Sequence, residues 1–258
     1  GGGGGVGGGG GGGGAGGVGG GGGGGGAGGG VGAGAGGGGG GRGVAASVGV
    51  VDVGGGGGDL LFGLGQVPSR WRLTGVDVAH ADVPFSWSSE IPCLTGLLVA
   101  NEWLDAVPVD VIEDGRLVLV SPDGTEILGE PVVSDWASRW WPSGRVEVGE
   151  PRDEAWTTAV SRVTRGVAVA IDYWHVLGSR RPTLTGYRDG RQVRPVPDGS
   201  CDLTAHVAVD ACAAATGATL WSQREALQFL GISAALPSAS DPSYALGLGQ
   251  ALLARGLC

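Results

Sequence analysis

The chain lacks the features from which a membrane span, a metal centre or a nucleic-acid surface is built. No run of about 18 apolar residues appears, the length a helix needs to cross a bilayer, and no basic-then-apolar leader opens the chain. Its four cysteines, Cys93, Cys201, Cys212 and Cys258, form no CxxC pair and no Cys/His ligand spacing. That argues against a metal site and leaves free or buried thiols of a reducing compartment. Arginine is nowhere densely clustered and the formal net charge is −9, which speaks against the basic footprint of a nucleic-acid binder. The expectation is a soluble, cytoplasmic chain with no nucleic-acid and no membrane partner.

The first 41 residues lack side chains almost entirely, since 34 of them are glycine and none is proline. Such a segment has nothing to bury and a high entropic cost of ordering. The absence of a Gly-X-Y period excludes collagen. Residues 1–41 are read as a Gly-rich low-complexity or unread segment, set outside the functional argument. Residues 42–258 then form one domain of ordinary size.

What that domain does have is an alternation of short apolar runs and helical segments. Val48–Val53 reads as a buried strand running into glycines, with a helix from Leu60. Arg72–Val78 and Thr95–Ala100 read as further strands, and Val109–Glu113 with Arg116–Ser121 as a hairpin around Asp114-Gly115. Glu150-Pro151 opens a helix to Val163, which Arg165-Gly166 stops before the strand Val167–Ile171. Thr204–Thr216 reads as a helix closed by Gly217, and Ala218–Trp221 as a strand. Ser222 to Glu225 is a capping box opening a short helix that ends at Gly231. Asp241-Pro242 caps a last helix to about Ala254. This pattern predicts an α/β, Rossmann-like fold, a mostly parallel sheet with helices on both faces. Ligands of such sheets sit outside the carboxyl ends of the strands, where Asp52, Asp77, Glu102 and Asp172 are all expected.

The run from Asp52 to Gly58 fits D-x-G-x-G-x-G after a strand, with Gly54, Gly56 and Gly58 at the glycine positions. A dinucleotide fingerprint needs a third glycine three positions after the second. Those positions are Asp59, Leu60 and Leu61 in the three possible registers, so that pattern fails and a nicotinamide-dependent oxidoreductase is disfavoured. The pattern suits S-adenosyl-L-methionine (SAM), which has no pyrophosphate to place at a helix N-terminus. Asp52 would meet the ligand's ammonium group or order the loop. Asp77 would accept hydrogen bonds from the ribose hydroxyls, and Asp82 or Phe85 would flank the adenine.

Five segments, taken together, resemble the MidA family, which includes the mitochondrial complex I assembly factor methyltransferases. They are VVDVGGGGGDLL (50–61), LLVANEWLDAVPV (97–109), VAIDYWH (169–175), PDGSCDLTAHVAVD (197–210) and QREALQFLGI (223–232). The resemblance implies a class I SAM-dependent methyltransferase fold. In the mitochondrial members it implies methylation of an arginine on a protein substrate, a subunit of respiratory complex I, and a matrix location if the source is eukaryotic. The family's cofactor positions carry over onto Asp52, Gly54, Gly56, Gly58 and Asp77. Asn101, Glu102 and Asp105 match its post-strand motif beside the methyl-transfer site. Gly57 departs from the larger, often basic residue of relatives.

A guanidinium is a poor nucleophile because its charge is delocalised and its pKa exceeds about 12. Carboxylates can hold it bidentately and localise that charge away from the attacking nitrogen. Glu102 takes this role, with Asp105 or Asp172 assisting and His206 as proton acceptor or orienting group. Plain structural roles compete. Glu102 and Asp105 could cap the segment after the strand, Asp172 could bond loop amides, His206 could be a satisfied core histidine and Asp202 a helix N-cap. Trp136, Trp140 and Trp141 could pack in the core or line a partner groove. The alternative at the level of function is a non-catalytic assembly protein that keeps the fold.

Overall fold

A computed structural model describes residues 48–232 and 250–257. The chain enters through β1 (Gly49–Val53), all five of whose residues are buried, and the loop after it leads into α1 (Asp59–Gly65). Then come β2 (Arg72–Val76), β3 (Ser86–Ser88) and β4 (Leu94–Asn101). An excursion follows: β5 (Val111–Glu113), β6 (Arg116–Val120), β7 (Glu126–Pro131), α2 (Asp135–Trp140) and β8 (Val146–Glu147). The helix α3 (Glu150–Arg162) returns the chain to the long strand β9 (Val163–His175). A second excursion holds β10 (Thr185–Arg188), β11 (Arg191–Val193) and β12 (Asp202–Thr204). The chain closes with β13 (Val207–Ala208), α4 (Val209–Thr216), β14 (Thr219–Ser222), α5 (Gln223–Phe229) and β15 (Gln250–Leu257).

The main sheet runs β14-β15-β9-β4-β1-β2-β3, with β13 added beside β9. Strands β3, β2, β1, β4, β9 and β13 are parallel in their pairings, and β15 runs antiparallel between β9 and β14. The predicted mostly parallel sheet is therefore present. The chain leaves β1 toward β2 on one side and β4 toward β9 on the other. That reversal opens a crevice at the carboxyl ends of β1 and β4. The two excursions form small antiparallel sheets, β7-β6-β5-β8 and β11-β10-β12.

The main core gathers Val51, Val53 and Leu98 from the sheet with Trp156 and Ala159 of α3 and Val209 and Cys212 of α4. Trp136 and Trp141 join a second cluster with Ile112, Val146 and Val148, so these tryptophans pack in the interior. Cys93, Cys201 and Cys212 are free thiols. No helix among the described residues is long and apolar enough to cross a membrane.

Three expectations need correction. Gly166 does not stop a helix: α3 ends at Arg162, and Gly166 lies within β9. It faces Gly96, which faces Gly49 on β1. A Cβ on Gly166 would strike the Gly96 carbonyl, and one on Gly96 would strike Gly49. These glycines serve backbone approach across three strands. The helix expected over 204–216 begins only at Val209, because Ala205 and His206 give their carbonyls to Arg152 instead of to a helical ladder. Asp202 accordingly opens β12 and caps no helix. Of the expected last helix, 241–249 lie outside the described residues, and 250–254 belong to β15. A short run such as Gln250–Leu257 fits a strand as well as a helix.

The glycine row yields a stability prediction. Gly166 sits at φ +136°, so Gly166→Ala adds both backbone strain and a main-chain collision, at a cost of about 3 kcal/mol. Urea denaturation should show the midpoint falling with an unchanged slope; an unchanged midpoint would refute the tight approach.

Candidate active site at the carboxyl edge of the sheet

Four acids meet along one edge because their strands are parallel neighbours in the order β9-β4-β1-β2. Asp52 lies in β1, Asp77 directly after β2, Glu102 directly after β4, and Asp172 near the end of β9. Asn101 ends β4 and is exposed.

The glycine loop is shaped by three positive φ angles, +74° at Gly54, +51° at Gly56 and +83° at Gly58. Each position has its own reason to lack a side chain. A Cβ on Gly54 would sit 2.8 Å from Trp103, and one on Gly58 would sit 2.8 Å from Phe85. A Cβ on Gly56 would meet nothing within 4 Å, so it would point into open space beside the strand ends. Gly54 N–H donates to the Val76 carbonyl at 2.8 Å, tying the loop to β2. Asp77 accepts from Gly56 N–H at 3.0 Å through Oδ2 and from Ala79 N–H at 3.0 Å through Oδ1. Phe85 packs edge-on against Phe62, and Asp82 is exposed. The Asp52 carboxyl is pushed up to about 6, first by burial and then by the charge of Asp77.

The loop after β4 is clamped from below. Asp172, 1% exposed, accepts from Leu104 N–H at 3.0 Å and Asp105 N–H at 3.3 Å through one oxygen, and from Tyr173 N–H at 2.9 Å through the other. Burial and the neighbouring Asp105 carboxylate raise its pKa. Asp172 is thus an amide-bonding group beneath the loop. Asp105 is also buried, and its pKa is raised by desolvation against the opposing charge of Arg152. Glu102 holds a positive φ of 49°, uncommon for a residue with a side chain, while its N–H donates to the Ile171 carbonyl at 2.8 Å.

Glu102, Asp105 and His206 converge on one cleft of about 1040 Å³, which Tyr173, Arg181 and Tyr187 also line. Its outer wall is the strap 181–185 leading into β10. His206 stacks on Tyr173 with ring centroids 6.0 Å apart. Desolvation first, then Arg181, lower its pKa, so the imidazole is neutral at pH 7. Sequence reasoning missed Tyr173, Arg181 and Tyr187. It also missed two buried holders, Glu147 and Arg152. Arg152 had a signal: it shares the buried i, i+4, i+7 face of α3 with Trp156 and Ala159. Among the described residues no group of His, Cys, Asp and Glu is arranged to hold a metal ion.

The loop suits SAM. Gly56 leaves its surface bare, Asp77 has one bond on each oxygen and retains lone pairs for a ribose, and Asp52, 4% exposed, could order the loop or meet an ammonium group. Gly56→Val should therefore lower SAM affinity by about 100-fold or more, read by isothermal titration, since it adds a branched side chain at positive φ where the ligand would lie. A variant that binds normally would displace the site from this loop. Asp52 gives a pH test. An ammonium partner favours the charged carboxylate, so binding releases the proton held below pH 6. Affinity should fall up to about tenfold per unit as pH drops below 6, and Asp52→Asn should flatten that dependence.

Comparison with known proteins bears on the fold and on the cofactor class. A family model described as "putative S-adenosyl-L-methionine-dependent methyltransferase" matches residues 68–225. A Burkholderia thailandensis superfamily member solved with bound S-adenosyl-homocysteine has the same fold, with TM-score 0.63 and 22% identity over 82% of this chain and 72% of that one. A native structure of a protein of that superfamily from the same organism gives TM-score 0.61 and 20% identity over 81% and 74%. No curated protein sequence matches the chain. With more than half of its residues inside the family model, the chain belongs to this family of SAM-dependent methyltransferases.

Proposed function

We propose that the chain methylates a guanidino nitrogen of arginine in a protein substrate, as the MidA-type resemblance implies. A respiratory complex I subunit or a similar protein is the partner class. The observation that supports this most is the convergence of Glu102, Asp105 and a neutral His206 on one large cleft; the post-β4 loop that carries Glu102 and Asp105 also packs its Trp103 against Gly54 of the glycine loop.

When bound, SAM supplies an electrophilic methyl on a sulfonium. Asp52, Gly54, Gly56, Gly58 and Asp77 would hold it, with Asn101 at the neighbouring strand end. Glu102 receives the acceptor guanidinium and draws its positive charge toward two of the nitrogens, leaving the third more nucleophilic. Asp105, deeper and partly neutralised by Arg152, adds field without competing for the same contact. Asp172 assists by fixing the backbone that carries both acids. As the new N–C bond forms, the methyl's bond to sulfur would break with its electron pair staying on the departing thioether, S-adenosyl-homocysteine, and the attacking nitrogen's proton passes to a ring nitrogen of His206. Positioning and water exclusion supply most of the remaining rate.

The test separates chemistry from binding. Arginine-containing peptides with labelled SAM should yield methylarginine by mass spectrometry, and lysine-substituted peptides should not. Glu102→Gln should lower kcat by about 100-fold or more while SAM affinity stays within about twofold. Unlabelled peptides throughout, with intact SAM binding, would favour the assembly-protein reading instead.

A further inference from the structure

The strap that walls the cleft is built to present one exposed cation. The Arg180 side chain is 5% exposed: its guanidinium donates to the carbonyls of His175 at 2.6 Å and Trp140 at 3.1 Å and pairs with Asp210. Pro182 then fixes the backbone φ. Thr183 and Leu184 both donate their N–H groups to Glu147 Oε1 at 2.6 Å, and the Thr183 hydroxyl donates to Oε2 at 2.8 Å. Glu147 is only 4% exposed. Arg181 thus stands between two buried anchors, one residue and two residues away. Its own side chain is exposed, lines the cleft and forms no ion pair among the described residues.

Charge is divided inside the cleft. Glu102, Asp105 and Asp202 supply the acids, His206 is neutral, and Arg181 is the cation among the lining residues. A bare guanidinium entering this space would be attracted by the acids and repelled by Arg181. A segment that carries a carboxylate beside its guanidinium would satisfy both ends. The planar fork of arginine fits a carboxylate bidentately, and a strap whose backbone is anchored in advance loses little backbone freedom on binding.

We propose that Arg181 is a specificity residue that binds an acidic side chain next to the acceptor, so that the preferred substrate segment pairs its arginine with an aspartate or glutamate. This rests on the arginine reading above and narrows it.

The experiment uses the full chain, SAM, and three peptides of equal length that differ only in whether the single arginine is flanked by Glu, Ala or Lys. Assays run at pH 8, where His206 is neutral with or without the neighbouring charge. The wild-type chain should favour the Glu-flanked over the Lys-flanked peptide by about 10- to 100-fold in kcat/KM, mainly through KM. Arg181→Ala should erase most of that preference by weakening use of the Glu-flanked peptide and improving use of the Lys-flanked one, and Arg181→Glu should invert the order. Equal use of the three peptides by the wild type, or a uniform loss in Arg181→Ala, overturns the proposal and leaves arginine methylation standing. Fluorescence anisotropy of the same peptides separates the opposite case. Binding in the same Arg181-dependent order without methyl transfer keeps the recognition role and sinks the arginine chemistry, whereas no binding sinks both.

Discussion

Arg152 is 3% exposed, and its guanidinium spends its hydrogen bonds on main-chain carbonyls. Nη2 donates to Asp105 O at 2.7 Å, Nε to Val107 O at 3.1 Å, and Nη1 to Ala205 O at 2.8 Å and His206 O at 2.9 Å. Removing such a charge from water is expensive. The expense is tolerable because four oriented carbonyl dipoles and the nearby acids Asp172, Asp105 and Glu147 offset it. In return one side chain on α3 braces two loops that are also joined directly by the Ala205 N–H donating to the Asp105 carbonyl at 3.2 Å. The first carries Glu102 and Asp105, and the second carries His206. The candidate chemistry therefore depends on a residue that takes no part in it.

The same logic repeats around the cleft with opposite charge. Glu147 holds the strap through Thr183 and Leu184, and the Thr183 hydroxyl oxygen accepts from His206 N–H at 2.9 Å. Asp172 holds the post-β4 loop through two amides. Each buried charge is answered by backbone groups of the opposite polarity, as buried polar groups must be. A loop packed only by apolar contacts could slide by a fraction of an ångström. One tied through charge-assisted bonds at both ends cannot do so without leaving a charge unpaired. This is a physical reason for such polar cores to lie directly under a site that needs exact geometry, where small displacements lose large factors in rate.

How much of this was legible in the sequence follows from the range of each signal. The Asp52–Gly58 loop was legible because conformation, spacing and chemistry all act within seven residues. The parallel strands β1, β2, β4 and β9 were legible from apolar runs, with the acids at or near their ends, whereas the short strands β3 and β13 were not. The capping box at Ser222 and Glu225 formed as written. What failed was non-local. Gly166 has its meaning only against Gly96, 70 residues earlier in the chain. Ala205 and His206 leave a helical register only because Arg152 claims their carbonyls. Gln250–Leu257 is a strand because it lies between β9 and β14. Composition alone cannot distinguish these cases, since in each the deciding partner is brought in by the fold.

The glycine loop, taken by itself in so glycine-rich a chain, carries little weight. Its weight comes from what surrounds it. The family model begins at residue 68, after the loop, so membership of the family and the reading of the loop rest on different residues. They meet in space at Trp103, which belongs to the matched segment and packs where a Gly54 side chain would have to be. They meet again at Asp77, whose carboxylate receives the Gly56 N–H. A chance run of glycines would have no need to leave room for one particular tryptophan or to turn one particular amide toward an acid at the next strand end. The loop is fitted to the rest of the site, and that fit supports reading it as the cofactor's.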